Sequence, residues 1–294
     1  MMYEEIQSNK RKSIFLIIGF IFLISIIGFA FGLLIFNYGE IGFIIALIIA
    51  LIMVVFNYYK GDKLILKISK ARKPTKEENA YLINVVEELS IAAGVPVPKI
   101  WVIDDSAPNA FATGRDPQHA SIAVTSGLLK KLNRLELEGV IAHEMSHIKN
   151  YDIRLMMLAS VLVGVVVLLS DMMIRSFLWG GRGSSDERKG GVLMIVVALL
   201  LAILAPLFAY LLQFALSRRR EFLADANAAL LTRYPEGLAS ALEKLSKDKE
   251  ALEVANRGTE PLYIVTPSNL KGRFGKLFST HPPIQERIKR LRGM

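Results

Sequence analysis

Two histidines lie four residues apart in the segment VIAHEMSH, and a glutamate directly follows the first. On an α-helix, residues four apart share a face, so His143 and His147 can direct both imidazoles at one point, with Glu144 close by. Zinc held there, with one position open for water, would lower the pKa of that water and polarise a carbonyl, and Glu144 would take the proton. The pattern therefore indicates metal-assisted hydrolysis.

Histidines on an apolar helix can also be simply buried and hydrogen-bonded, without any metal. A second pair, Glu221 and Asp225, stands four apart in the segment SRRREFLADANAA. Acidic pairs at this spacing are common on solvated helix faces, yet Glu221 can supply a third ligand and Asp225 can accept a hydrogen bond from a ligand histidine. Both constellations adjoin predicted membrane spans that would return them to the same face of the membrane, where they can form one site. We therefore predict one Zn²⁺ per chain.

A zinc endopeptidase also needs a donor aimed at the oxyanion that develops on the peptide carbonyl. His281 in STHPPIQERI is the candidate, because two following prolines restrict its backbone. Its alternative is a structural role, in which the ring caps the basic helix predicted at 284–292. The last of the four histidines, His119, is predicted to be a surface or hydrogen-bonded residue and not a ligand.

The composition indicates a membrane protein, because 52% of the residues are hydrophobic and several long segments carry no charge. The net charge of +9 does not favour nucleic-acid binding, since the basic residues cluster beside the apolar segments, where topology signals and anionic lipid contacts are expected. The chain has no cysteine, which excludes disulfides and thiolate ligands. Any metal must be held by His, Asp or Glu.

Four apolar segments are predicted to span the bilayer, at about 14–36, 41–57, 155–174 and 192–216. Most of the lysines and arginines near these spans lie in the polar segments that precede the first span and follow the second and fourth spans. An excess of basic residues marks the cytoplasmic side, so these polar segments are predicted to be cytoplasmic. The loop between the last two spans also carries four cations, which is a smaller number. The lipid bilayer is thus a predicted partner. The polar segments can then meet in a single cytoplasmic domain.

The chain is accordingly divided into four parts. They are an N-terminal transmembrane hairpin (1–58), the first part of a catalytic domain (59–154), a second transmembrane hairpin (155–216) and the second part of the domain (217–294). Hydrophobic periodicity and breakers predict a mainly helical α+β domain with a small sheet. The predicted helices are 76–93, one from about 134 through the histidine pair, 218–231 and 236–247, and the predicted strands are 99–105, NAFATG and 121–125.

Four motifs occur in one order along the chain, PNAFATG at 108–114, AHEMSH at 142–147, SRRREFLADANAA at 217–229 and THPPIQERI at 280–288. In these motifs and in its four spans the chain resembles the HtpX-type membrane zinc metalloproteases. That family belongs to the same wider group as the membrane CAAX prenyl proteases, which have more spans. The resemblance covers nearly the whole chain and implies a polytopic membrane protein with a zincin-like catalytic domain.

Residue by residue, the resemblance implies zinc ligands at His143, His147 and Glu221, a general base at Glu144 and support from Asp225. It also implies a peptidase of a prokaryotic plasma membrane that acts on protein substrates, in quality control of damaged membrane proteins. Two rival functions stay open: a CAAX-type prenyl-protein endoprotease, and a membrane scaffold or transporter in which zinc is only structural. No particular oligomeric state is predicted.

The NAFATG segment resembles the substrate-binding edge of the family. An exposed strand can bind an extended peptide by pairing with it, which makes the role physically reasonable. An ordinary strand and turn explains the same residues equally well. The predicted substrate-binding residues are Asn109, Ala110, Phe111 and Ala112.

Overall fold

The first two helices form a long apolar hairpin. The computed structural model describes residues 2–162, 218–255, 259–265 and 281–294. Helix α1 (Met2–Phe36) and helix α2 (Gly39–Ile68) each contain a segment long and apolar enough to cross a membrane. Large apolar side chains on their outer faces, such as Phe15 and Ile52, are exposed, as expected of side chains that face lipid. These helices contain the first two predicted spans.

Both helices extend beyond the apolar segments that predicted them. Helix α1 begins at residue 2 and not near 14, and α2 continues to Ile68 and not only to 57. Hydropathy identifies only the part of a helix that contacts lipid. The polar turns at 2–13 and 58–68 continue the same helical hydrogen-bond pattern beyond that part. The predicted span 192–216 lies outside the described residues, as does the span 155–174 beyond residue 162.

Small residues allow α1 and α2 to pack closely. Gly28 and Gly32 of α1 face Gly42 of α2, and a Cβ added at Gly42 would meet the backbone of both. Ala46 and Ala50 continue the same stripe and are buried. Small residues at such spacing let transmembrane helices approach without side chains between them. The two backbones are therefore in direct contact at this end of the hairpin, and buried side chains such as Phe20 and Leu23 pack further along it.

A three-stranded mixed sheet follows, with β1 (Lys99–Ile103), β2 (Ala110–Gly114) and β3 (Ala120–Thr125). Strand β3 is central, parallel to β1 and antiparallel to β2. The prediction of three short strands is confirmed, although β1 ends two residues early because Asp105 turns the chain by accepting a hydrogen bond from the Ala107 N–H. Strand β2 lies at the edge of this sheet.

The remaining described helices pack around the sheet and supply the rest of the domain. Their bounds are α3 (Lys76–Ala93), α4 (Ser126–Lys131), α5 (Arg134–Lys149), α6 (described over residues 152–162), α7 (Arg218–Thr232), α8 (Pro235–Lys247) and α9 (Ile284–Leu291).

Helix α5 is the centre of the domain, and most of its residues are buried. It begins with a capping box, in which Asn133 and Glu136 satisfy each other's backbone N–H groups. Helix α8 crosses it at Gly139, where a Cβ would lie 2.6 Å from the backbone nitrogen of Leu238. This close packing fixes the helix that carries the two histidines.

Candidate metal centre and active site

Helix α5 places His143 and His147 on one buried face. Their Nε2 atoms are 3.2 Å apart, and the two side chains are 0% and 5% exposed. Helix α7 brings Glu221 opposite them, with Oε2 at 3.7 Å from His143 Nε2 and Oε1 at 3.5 Å from His147 Nε2. The structure therefore brings together the three ligands expected from the sequence.

The donor atoms of these three residues fit a metal ion. One ligand atom from each lies within 4.8 Å of the other two. Converging imidazole and carboxylate acceptors repel one another unless a cation or protons lie between them. Two histidines and a carboxylate are also a common ligand set of catalytic zinc. These three residues could therefore hold a metal ion.

A buried ion pair supports His143 from behind. The Nδ1 atom of His143 lies 3.0 Å from Asp225 Oδ1, which leaves Nε2 directed at the site. Arg287 of α9 is fully buried and donates two hydrogen bonds to Asp225, at 2.7 and 2.9 Å. Its third nitrogen, Nη1, donates to the carbonyl of Ile264 at 3.1 Å. Asp225 thus orients the histidine, and Arg287 neutralises Asp225.

A different carboxylate supports His147. Asp152, the first residue of α6, places Oδ2 at 3.0 Å from His147 Nδ1, and Asp152 is 2% exposed. The sequence analysis did not assign Asp152 or Arg287 to the site. Asp152 stands five residues after His147, but this spacing alone does not show that the two side chains meet. The turn between them, with Tyr151 at φ 61°, brings the carboxylate back to the histidine. Arg287 lies in the motif THPPIQERI, but nothing local in that motif indicated that its side chain would meet Asp225.

The two imidazoles differ in their acid–base properties. Burial lowers the pKa of His143 from 6.5 to about 4, and the charge of Arg287 adds to the effect. Burial opposes the charged form of His147 too, but Asp152 and Glu221 outweigh it and raise its pKa to about 9. Zinc coordinates neutral imidazole, so without metal His143 is already in the ligating form whereas His147 must first lose a proton.

Glu144 lies beside the ligands and is 2% exposed. Burial raises its pKa from 4.5 to about 7, while a hydrogen bond from the backbone N–H of Ala112 works in the opposite direction. The carboxylate that follows the first histidine therefore faces strand β2. A carboxyl that titrates near neutral pH can both accept and return a proton.

The outer edge of β2 carries the predicted substrate-binding residues. Asn109, directly before β2, and Thr125 of β3 form a hydrogen-bonded pair. Because hydrogen-bonded and non-hydrogen-bonded pairs alternate along antiparallel strands, Ala110 and Ala112 direct their backbone N–H and C=O groups away from β3. The chain's own segment 259–265 occupies the start of this edge: the N–H of Ile264 donates to the Ala110 carbonyl at 3.0 Å. At Ala112 the edge faces Glu144 instead.

Two further residues predicted for the site, Phe111 and His281, are both buried but have different neighbours. Phe111 is buried against Tyr263, with ring centroids 5.3 Å apart, so its side chain belongs to the core. His281 is buried and places Nδ1 at 2.9 Å from Glu221 Oε2. The cap of α9 is Pro283, without a side-chain hydrogen bond, so the capping role considered for His281 is not seen.

His119 lies apart from the metal centre, as expected. Its side chain is 49% exposed, and Nδ1 lies 2.7 Å from Asp116 Oδ1. This local contact closes the short turn that precedes β3.

Comparison with known proteins places the chain among peptidases. Residues 76–294 match the family described as Peptidase family M48. The chain is 54% identical over 292 residues to a protease HtpX homolog of Dictyoglomus turgidum, covering 99% of this chain and 94% of that protein. It is 43% identical over 304 residues to a protease HtpX homolog of Listeria monocytogenes, with both chains covered in full.

A solved structure is also similar. The crystal structure of S. mikatae Ste24p matches with a TM-score of 0.48 and 21% sequence identity, covering 83% of this chain. The chain spans 57% of the length of that structure.

Proposed function

The chain belongs to peptidase family M48 and is a membrane metallopeptidase, and from this premise we propose a zinc-dependent endopeptidase with ligands His143, His147 and Glu221. The family match and the two HtpX homologues confirm the resemblance that the motifs indicated. One observation carries the proposal: three buried ligand atoms lie within 4.8 Å of one another, and two of them belong to the helix that also presents Glu144.

Glu144 is the proposed general base. A zinc ion, when bound, would act as a Lewis acid and lower the pKa of a coordinated water. Glu144 would accept a proton from the attacking water and return it to the leaving amine. Its contact with the Ala112 N–H supports this role, because it holds the carboxylate between the ligands and the strand where we propose that the substrate lies.

His281 is the proposed donor to the developing oxyanion. Its Nδ1 lies 2.9 Å from a Glu221 oxygen, so that nitrogen donates to the carboxylate, and Nε2 is the proposed donor to the substrate. Nε2 can donate only when both ring nitrogens are protonated.

The substrate peptide is proposed to pair with the outer edge of β2. Extended peptides commonly bind to proteases by adding a strand to an exposed edge. Because Ile264 already pairs with Ala110, pairing with a substrate would begin at Ala112, next to Glu144. Asn109 donates its side-chain amide to the Val265 carbonyl at 2.9 Å, so we expect it to shape the edge and not to contact the peptide.

We place the enzyme in a prokaryotic plasma membrane with its catalytic domain in the cytoplasm, where it removes damaged membrane proteins. The basic residues beside the first two helices and at the start of α7 support this orientation. The quality-control role rests on the family resemblance. Tags at residue 70 and at the C-terminus should be cytoplasmic and a tag at residue 184 external, and a cytoplasmic tag at 184 would rule out four full spans.

Metal analysis and casein hydrolysis by detergent-purified protein test the proposal. Glu144→Gln should keep its zinc and lose ~10² to 10⁴ in rate, because it removes a positioned acid–base group but no ligand. Glu138→Gln, a partly exposed glutamate of the same helix, should keep both zinc and rate. His147→Ala and Glu221→Ala should lose most of the zinc. Activity of Glu144→Gln within a few-fold of the parent would refute the mechanism, and full zinc in Glu221→Ala would place the third ligand elsewhere.

A further inference from the structure

A buried asparagine of the first membrane helix reaches the metal centre. Asn9 of α1 is 1% exposed and lies more than a hundred residues in sequence from its partners. Its side-chain nitrogen donates to the carbonyl of Asn150 at 2.9 Å and to Asp152 Oδ1 at 2.7 Å. Since both neighbours are acceptors, the amide nitrogen and not its oxygen must face them. One NH₂ group thus uses both of its hydrogens.

These contacts continue to a proposed zinc ligand. Asp152 accepts from Asn9 through Oδ1, and its other oxygen, Oδ2, lies 3.0 Å from His147 Nδ1. The three residues are each less than 5% exposed. A carboxylate bonded to the distal nitrogen of a ligand histidine fixes its tautomer and ring orientation. The asparagine fixes the carboxylate in turn.

The turn that carries Asp152 also depends on α1. Tyr151 adopts φ 61°, a left-handed conformation that is unfavourable for a residue with a side chain. The ammonium of Lys10 lies 4.6 Å from the centroid of the Tyr151 ring, and Asn9 bonds the carbonyl just before it. Adjacent residues of α1 therefore hold both sides of the turn between α5 and α6.

We propose that Asp152 positions His147 for zinc binding and that Asn9 holds Asp152, so that the first membrane helix is part of the metal site. The inference rests on the proposed zinc site. It assigns to α1 a role beyond membrane anchoring: displacement of α1 along its axis would withdraw Asn9 and release the carboxylate behind His147. A purely structural Asn9, which only closes the end of α5, would affect folding but not zinc affinity.

The test compares zinc affinity and stability in the full-length protein in detergent. Zinc dissociation constants are measured by competition with a chromophoric chelator, and melting temperatures are measured on the zinc-free proteins. Asp152→Asn should weaken zinc binding by ~10- to 100-fold, the range typical for partners of ligand histidines. The visible absorption bands of the Co²⁺-loaded variant should also shift, because the orientation of His147 changes.

Asn9→Leu removes the amide at similar volume and should weaken zinc binding in the same direction, by about 3- to 10-fold, since it acts through Asp152. Ser13→Ala is the matched control. Ser13 is buried one turn further along α1 and bonds the Asn9 carbonyl within that helix. We expect this variant to bind zinc like the parent.

The outcomes separate this inference from the proposed function. If His147→Ala binds zinc as tightly as the parent, the proposed site itself is wrong. If His147→Ala loses zinc but Asp152→Asn keeps the parental affinity, only the positioning role is overturned. A parental dissociation constant in Asn9→Leu, together with a lowered melting temperature, would show that α1 contributes to folding alone.

Discussion

The two histidines of α5 face one site, yet their surroundings are electrostatically opposite. Behind His143, the charge of Asp225 is balanced by two hydrogen bonds from Arg287, in the C-terminal helix. Behind His147, the closest partner of Asp152 is a neutral amide from the N-terminal helix, at 2.7 Å. Burial lowers the pKa of His143 to about 4, and the charge of Arg287 adds to this effect, whereas Asp152 and Glu221 outweigh burial and raise the pKa of His147 to about 9.

This difference shows that an i, i+4 pair need not be a symmetric pair of ligands. On the His143 side the supporting charge is already neutralised, so this imidazole stays neutral and ready to coordinate. On the His147 side the arginine nearest to Asp152, Arg220, lies 3.5 Å away, and the carboxylates of Asp152 and Glu221 favour a proton or a metal ion at the imidazole. We expect changes on the first side to affect stability as well as metal affinity, and changes on the second to affect mainly metal affinity.

The largest expected effect is on the His143 side. Arg287→Met would leave the buried carboxylates of Asp225 and Glu221 without their guanidinium, which costs about 3 to 5 kcal/mol for a broken buried pair. Chemical denaturation in detergent measures this loss. Arg292→Met, at the residue that follows the helix of Arg287, should cost much less, because the ion pairs of Arg292 with Glu236 and Glu243 are at the surface. Equal losses in the two variants would remove the distinction between a buried and a surface charge.

Next in size is His281, the residue that contacts Glu221 from the C-terminal segment. His281→Ala should lower kcat and kcat/KM together by ~10², with zinc content near that of the parent, because it removes a transition-state donor. His119→Ala, an exposed histidine outside the site, is the control and should leave both constants unchanged. An unchanged kcat with reduced stability would instead assign His281 a structural role.

The two supporting carboxylates should differ in what they stabilise. Asp225→Asn and Asp152→Asn should each weaken zinc binding by ~10- to 100-fold. Asp225 accepts two hydrogen bonds from the fully buried Arg287, whereas the buried Arg220 lies 3.5 Å from Asp152, so Asp225→Asn should lower the melting temperature of the zinc-free protein more than Asp152→Asn does. Comparing the melting temperatures of the two variants measures the difference between the two sides of the site. Equal melting temperatures would contradict that difference.

The smallest effect is on pH dependence, and its sign differs between the histidines. The folded pKa of His147, about 9, lies above its ordinary 6.5, so its contribution to stability is complete below pH 6.5 and is lost as pH rises through 9. The folded pKa of His143, about 4, lies below 6.5, so its contribution is complete above pH 6.5 and is lost as pH falls through 4.

Zinc-free melting curves test this between pH 4 and 9. They are best recorded in the Glu144→Gln protein, because burial raises the pKa of Glu144 to about 7, within the same range. Relative to that protein, adding His147→Gln should remove the loss of stability at high pH, and adding His143→Gln should remove the loss at low pH. Changes at the same end of the range would mean that the two histidines share one environment.

Much of the site was accessible from the sequence because its parts are local. The i, i+4 spacing of His143 and His147 and that of Glu221 and Asp225 specify helix faces without reference to the rest of the chain. Periodicity also predicted α3, α7 and α8 to within one residue of their ends, and the motifs identified the family. In the first hairpin, hydropathy predicted the apolar segments but not the polar turns that extend both helices.

The sequence by itself determined the kinds of ligand and the helices that carry them, because short-range spacing and residue type suffice for both. Only the tertiary structure decided which groups stand behind the ligands. Asn9 meets Asp152 across 143 positions and Arg287 meets Asp225 across 62, and each pairing depends on how whole helices pack. Helix packing brings distant residues together by burying apolar surface, and no local pattern records which polar groups must then satisfy one another.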